Sequence, residues 1–440
     1  MHSHLIARAF AVLICLGLAG CGEEATLPVS AGTGPNPELP LPVQTTFPTV
    51  VLAKATGWPN DETPQAADGL SVNAFATDLD HPRMLYVLPN GDVLVAEAAA
   101  PPQPGLSQGI MGRLMKLGMW WAGAGVESPN RITLLRDADG DGIAETRTAF
   151  LSGLNSPFGM ALIDDDFYVA NTDGVVRFPY RLGETTISAT GEAVADLPAG
   201  PVNIHWVKNI LASADGRKLY ASVGSNSNIG ERGFETEDGR AAIHEIDLGS
   251  GASRIYASGL RNPVGMDIQP DSGRLWTVVN ERDELGSDLV PDYMTSVQEN
   301  GFYGWPYSYF GDHVDTRVEP QRPDLVAKSI VPDYALGPHT ASLGLAFYRG
   351  NLFPERYQGG AFIGQHGSWN RRPPSGYKVI FVTFEDGEPS GMPETILTGF
   401  LSADGQAYGR PVGVAEDRTG ALLVADDVGN TVWRVVPTAQ

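Results

Sequence analysis

Arginine and histidine recur at one kind of place in this sequence, just ahead of an apolar, strand-like run. Arg83, His205, Arg261, His339 and Arg410 stand there, with Asn155 and Asn262 in matching positions. A second polar set closes the run that follows: Glu97, Asn171, Ser225-Asn226, Asn280-Glu281, His366 and Asp426-Asp427. Turn chemistry accounts for the Asn and Asp members, because strand ends leave backbone groups in need of partners. It accounts less well for three Arg and two His in a chain with only 30 Lys+Arg and 8 His. Arg brings a planar fork suited to carboxylate or phosphate, and His brings a base that works near neutral pH. Gathered together, these residues predict a cationic pocket for a polyanionic cofactor or substrate, inside a chain whose formal charge is −22.

The elements that must gather them are repeated six times: RMLYVLPNGDVLVAEA (83–98), FGMALIDDDFYVAN (158–171), KNILASADGRKLYASVGSN (208–226), VGMDIQPDSGRLWTVVNE (264–281), LGLAFYRGNLFPERYQGGAFIGQHG (343–367) and VGVAEDRTGALLVADD (412–427). Each is an apolar strand, a turn rich in Gly, Asp or Asn, and a second apolar strand. Three share a local opening, SPFG (156–159), NPVG (262–265) and RPVG (410–413). Periods of this size mark radial repeats. The expected fold is therefore all-β, a six-bladed β-propeller of four-stranded blades over residues 67–440, with LSVNAFA (70–76) pairing into the last blade beside TVWRVV (431–436). Two repeat spacings are long. The first holds 101–125, where Met111, Leu114, Met115, Met119, Trp120 and Trp121 suit one helical face, packed on the domain or against a membrane or partner. The second holds the aromatic loop ENGFYGWPYSYFGDH (299–313), read as a wall beside the channel.

Residues 1–20 read as a secretory signal, with His2, His4 and Arg8 before the apolar run 9–20, which is too short to span a bilayer. Leu18-Ala19-Gly20-Cys21 is similar to a bacterial lipobox, with Cys21 the lipidated residue and Gly22 favouring the outer membrane. Cys15 would leave with the signal, so the mature domain has neither thiol nor disulfide, and no C-x-x-C-H motif for covalent haem is present. The Pro- and Gly-rich stretch 21–66 reads as a flexible tether. An acidic chain of this kind excludes a nucleic-acid partner.

DADGDGIAE (137–145) is a separate signal. Asp137, Asp139, Asp141 and Glu145 can present oxygen ligands on a tight loop, although Thr148 stands where an EF-hand needs its bidentate Glu. A second calcium site and a solvated acidic turn are the two readings.

Four longer strings carry a resemblance: GLRNPVGMDIQPDSGRLWTVVNERDELG (259–286), NGFYGWPYSYFG (300–311), GQHGSWNRRPPSGYKV (364–379) and AYGRPVGVAEDRTGALLVADDVGNTVWRV (407–435). Together they resemble the soluble quinoprotein sugar dehydrogenases, in the L-sorbosone or aldose-sugar dehydrogenase branch. The resemblance implies a propeller holding pyrroloquinoline quinone (PQQ) over its channel with a Ca²⁺. It implies His205 as general base and Arg261-Asn262 as the pair at the quinone, with Arg410 near the cofactor carboxylates and backbone carbonyls near Arg282 and Asp283 at the Ca²⁺. Asn155 and His339 are further cofactor-side positions, and His366 or Arg371 replaces the cation that the family brings from the fifth blade. Where the glucose-oxidising branch has an Asp after a Gly in the third-blade turn, this chain reads Gly224-Ser225. The implied partners are a sugar or aldehyde substrate, a separate electron acceptor (a cytochrome or the quinone pool), and the periplasmic membrane through the lipid. Two rivals stand beside this reading: a metal-dependent lactonase propeller using Glu97, Asn171, Asn226 and Asp426, and a non-catalytic sugar-binding propeller.

Overall fold

Each of the six repeats forms the inner two strands of a four-stranded antiparallel sheet. The computed structural model describes residues 22–59, 62–103 and 109–438; the signal segment 1–20 and Cys21 lie outside the described residues. Blade 1 comprises Pro82–Val87, Val93–Glu97, Arg131–Arg136 and Thr146–Ser152. Blade 2 runs from Met160–Ile163 to Glu192–Asp196, and blade 3 from Ile210–Ala212 to Ser253–Ser258. Blade 4 contains Pro263–Ile268, Leu275–Val279, Pro291–Ser296 and Tyr334–Pro338, and blade 5 runs from Ser342–Phe347 to Glu388–Thr398. Blade 6 has three strands from the C-terminus, Pro411–Glu416, Leu422–Asp426 and Thr431–Pro437. Its fourth is Leu70–Ala76, which pairs antiparallel with Thr431–Pro437. The ring is thus closed by a strand from the other end of the chain, as expected, and no propeller edge is left open there.

The core lies between blades. Leu94, Ile132 and Phe150 of blade 1 pack on Phe167 and Val169 of blade 2. Trp276 and Tyr334 of blade 4 pack on Phe347 and Phe384 of blade 5. Edge-to-face contacts such as Trp276–Phe384, 5.1 Å between centroids, fill these seams.

The shared glycine of the SPFG, NPVG and RPVG strings has a specific cause. A Cβ on Gly413 would lie 2.6 Å from the carbonyl oxygen of Arg83 and 3.0 Å from Met84 Cα, both in the next blade. A Cβ on Gly265 would lie 2.6 Å from the amide nitrogen of Leu345, again in the next blade. The innermost strands approach so closely that only a residue without a side chain fits. Gly413→Ala is expected to cost about 1–3 kcal/mol, because the obstructing atoms are backbone and cannot rotate away. Denaturant unfolding measures it, and a loss within error of zero would show that the seam can widen freely.

The structure replaces the flexible tether with a strap. Asp288 accepts hydrogen bonds from Thr26 N and Oγ1 at 2.7 and 2.9 Å. Thr33–Gly34 adds a fifth strand to blade 4, and Gln65–Ala66 adds one to blade 5. Between them Val43 N donates to Leu285 O, and Val51 N to Trp369 O. Composition signals what a segment lacks, and it cannot see that sheet edges elsewhere offer the backbone its partners. Residues Gly109–Trp121 form a helix, α1, within the first insertion. Among the described residues no helix is long and apolar enough to cross a membrane.

Candidate active site

Antiparallel pairing puts the start of each first strand beside the end of its partner, as in Pro82 opposite Glu97 and Pro411 opposite Asp426. On that face lies a cavity of about 620 Å³. Its wall includes His205, Arg261, Asn262, His339, His366 and Arg410, with Asp283 at the same level. Arg83, Asn280, Glu281 and Asp427 line it too, so ten of the strand-end residues converge.

His205 is oriented by the backbone. Its Nδ1–H donates to the Ser225 carbonyl at 2.7 Å, with Ser225 Oγ at 3.1 Å; that hydroxyl in turn donates to Ser227 O. The third-blade turn can come this close because position 224 is glycine: a Cβ there would collide with Asn262 Oδ1 and the His205 side chain. The carbonyl fixes the tautomer and leaves Nε2 as the free, unprotonated nitrogen. Burial, reinforced by the Arg261 charge, pushes the imidazole down to about 3, so the ring is neutral at working pH.

Arg261 is braced on one wall. Its guanidinium donates to Glu281 O at 2.6 Å, to Asn228 Oδ1 at 2.9 Å and to Asp283 Oδ2 at 3.2 Å. Asp283 also faces His339 Nδ1 at 3.4 Å, while His339 Nε2 donates to Gly286 O at 2.9 Å. Burial alone would lower His339, but the Asp283 partner outweighs it and the imidazole is raised. His339 takes a left-handed backbone, φ 56°, so this placement carries local strain.

The opposite wall has a hub that the sequence reading saw only as a strand end. Asp427 accepts hydrogen bonds from Arg83 Nη1 and, at 2.9 Å, from His366 Nε2, with His81 Nε2 at 3.6 Å. Burial would raise its carboxyl; the surrounding His366, His81 and Arg83 reverse that and hold it far below the carboxylate range. Burial pushes His366 down to about 4 despite this partner. Arg410 differs from all of these. Its guanidinium lies 4.9 Å from the centre of the Tyr377 ring, with no carboxylate or hydrogen-bond acceptor on it among the described residues. The Nε of Arg83 is also unpartnered.

Two buried guanidiniums with unused donors on a roomy cavity are what a planar polyanion would satisfy, so the donor set fits PQQ. Oxygen donors for a cation are present too: the Asp283 carboxylate, the buried and unpartnered Glu281 Oε1, and Asn262 Oδ1. The expected carbonyl ligand at Asp283 is engaged elsewhere, accepting from Asn228 Nδ2 at 3.1 Å and Arg317 Nη1 at 3.0 Å. Its carboxylate is the part that reaches the cavity.

Several expected residues lie apart. Asn155 is exposed and donates to Asp173 Oδ2 at 2.8 Å, so its side chain is engaged outside the cavity. Arg371 is buried away from the cavity; it donates to Leu27 O and faces Asp288, holding the strap. The Arg282 side chain is sealed against Glu281 and Asp315. Asp137, Asp139, Asp141 and Glu145 bring their oxygens within 4.8 Å of one another on an outer turn of blade 1. The rival lactonase set does not converge. Glu97 is consumed by Arg131 and Thr133, Asn171 by the Asn155 amide, Asn226 by the Ile204 amide, and Asp426 by two indole N–H groups. His81 and Asp292 line the cavity without a signal in the repeats, whereas Asp427 is legible from the Asp426-Asp427 doublet as a strand end but not as a hub.

The six-bladed propeller thus gathers at its mouth three guanidiniums, two of them with an unpartnered nitrogen, beside a neutral imidazole and four carboxyl groups. The sequence profile described as "Glucose / Sorbosone dehydrogenase" matches residues 169–368, and a "TrAA12-like" profile matches 317–438. An uncharacterized protein of Borreliella burgdorferi is 31% identical over 292 residues, 64% of this chain and 76% of that one. A pyrroloquinoline quinone-dependent pyranose dehydrogenase of Coprinopsis cinerea is 26% identical over 256 residues, 48% of this chain but only 34% of that enzyme. The holo form of that fungus's pyranose dehydrogenase PQQ domain superposes with a TM-score of 0.70 at 19% identity, covering 88% of this chain and 100% of the domain. The chain belongs to the soluble PQQ-dependent sugar dehydrogenase family, the glucose/sorbosone dehydrogenases.

Proposed function

We propose that this chain is a PQQ- and Ca²⁺-dependent dehydrogenase, anchored in the periplasm through Cys21, that oxidises an aldose, a sugar aldehyde or a related alcohol and passes electrons to a separate acceptor. The observation that carries the reading is His205: a neutral imidazole with Nδ1 spent on Ser225 and Nε2 free, on a cavity that also presents the unpaired Arg410. When bound, PQQ supplies a two-electron acceptor and Ca²⁺ a Lewis acid. The chain's own residues do the rest. Arg410 and Arg83 offset the anion's carboxylates through their unused donors. Arg261, fixed by Glu281 O and Asn228, presents a preorganised cation to developing negative charge. His205 accepts the substrate hydroxyl proton at Nε2, and the Ser225 carbonyl stabilises the imidazolium that results.

Apo-protein titrated with PQQ and Ca²⁺ should bind the quinone and then reduce an artificial dye with aldoses or sugar aldehydes. No binding and no reduction across such a panel would sink the reading, and lactone hydrolysis without PQQ would favour the hydrolase rival. Arg410→Met should weaken PQQ binding about 10- to 100-fold, the cost of one charge-assisted contact. Unchanged affinity would show that the carboxylates are bound elsewhere.

A further inference from the structure

Among the described residues, α1 exposes several large apolar side chains. Leu117 is 55% exposed, Trp120 64% and Trp121 45%. The chain has 8 Trp. Only Trp120, Trp121 and Trp369 are among the exposed large hydrophobic residues. Trp369 borders the cavity mouth together with Gly118 and Met119, the α1 residues that precede Trp120 and Trp121. Trp369 O also accepts from Val51 N, and Leu52, one residue on, packs against Gly118.

Charge on this rim runs against the rest of the molecule. No acidic residue occurs between Glu97 and Glu127, while the whole chain carries −22. Arg113 and Lys116 are exposed on α1. The exposed Lys54 places its Nζ 5.2 Å from the Trp121 ring. The first described residue, Gly22, packs on Thr49, three residues before Leu52. Glu23 and Thr49 are tied by hydrogen bonds of 3.0 and 2.8 Å, and the strap continues from Thr49 through Leu52 directly under α1. Gly22 therefore sits on the strap close to α1.

We propose that the rim formed by Leu117, Trp120, Trp121 and Trp369, with Lys54 and Lys116, rests in the interface of a lipid bilayer bearing anionic headgroups. Paired Trp residues with apolar neighbours and flanking cations are the composition of an interfacial anchor. A protein partner would use the apolar surface equally well, but the local reversal of charge and the nearness of Gly22, the residue next to the proposed lipid-bearing Cys21, both point to a membrane. Because α1 also walls the cavity, this contact sets the cavity mouth at headgroup level. The proposal rests on the lipid anchor of the preceding reading only for the nearness of Cys21, next to Gly22, to this surface.

The test uses the full-length protein in vesicles of phosphatidylcholine and phosphatidylglycerol whose acyl chains are brominated near the headgroup. Tryptophan emission should be quenched, and the double variant Trp120→Phe/Trp121→Phe should lose roughly half or more of that quenching while dye reduction persists as the control for folding. Lys116→Glu should reduce the quenching in the same direction. Equal quenching in wild type and double variant overturns the rim alone; wild type that stays out of the vesicle fraction overturns the rim and the lipid anchor together. A vesicle-free doubling of mass that the double variant abolishes assigns the rim to a second copy, and likewise overturns the proposal. Absence of dye reduction in all variants alike bears on the dehydrogenase reading and leaves the quenching result to stand by itself.

Discussion

Replacing His205 with alanine is expected to lower kcat about 100- to 10,000-fold in the PQQ- and Ca²⁺-loaded protein, the range for losing a positioned general base. Cofactor affinity should stay nearly constant, because no observed contact ties His205 to the guanidiniums that would hold an anion. The geometry makes the expectation specific. With Nδ1–H committed to Ser225 O at 2.7 Å, only Nε2 can take a proton, and glutamine at 205 could not replace it. Burial keeps the ring neutral down to about pH 3, so kcat/KM should show no inflection near 6.5, the ordinary imidazole value. Rapid-mixing reduction at saturating sugar, with quinone affinity titrated separately, checks both parts. A kcat within threefold of wild type would place the base elsewhere; a collapse of PQQ binding would make His205 a cofactor ligand.

The two halves of that site were unequally legible in the sequence. Repeats reveal what every blade must do alike, so the inner strands, the SPFG-type glycines and the convergence of strand ends could all be read from a single chain. Gly413 is informative because its neighbour is backbone, which every sequence shares. The orienting partner of His205 could not be read the same way. It is a main-chain carbonyl, and a carbonyl at position 225 has no letter. The Asp427 hub was hidden for a related reason: its partners Arg83, His366 and His81 come from two other blades and the turn that closes the ring. Only ring closure makes them neighbours. Asn155 shows the converse error, since equivalence by repeat position failed where its side chain found Asp173. The strap failed on composition, because Pro and Gly mark the absence of self-made structure while the pairing edges belong to blades 4 and 5.

Asp427→Ala should cost about 3–5 kcal/mol in the apo-protein, because it strands a buried Arg83 that already has one unpartnered nitrogen. The sign with pH follows from the carboxyl being held below its ordinary value: its contribution is complete above about pH 4 and is lost only as acid protonates it. The stability gap between wild type and variant should therefore be constant from neutral pH down to about 4 and narrow below. The loaded protein should behave differently. An anion in the cavity supplies Arg83 with the negative charge that the substitution removes, so the same variant should lose distinctly less when PQQ is bound. Thermodynamic closure then requires the variant to bind PQQ more tightly than wild type, by the factor that the two stability losses differ. Unfolding of both proteins with and without quinone, set against direct PQQ titration, measures every side of that cycle. Equal losses in apo and loaded protein would mean that Asp427 and the cofactor do not compete for the same cations, and the cationic wall would then need another explanation.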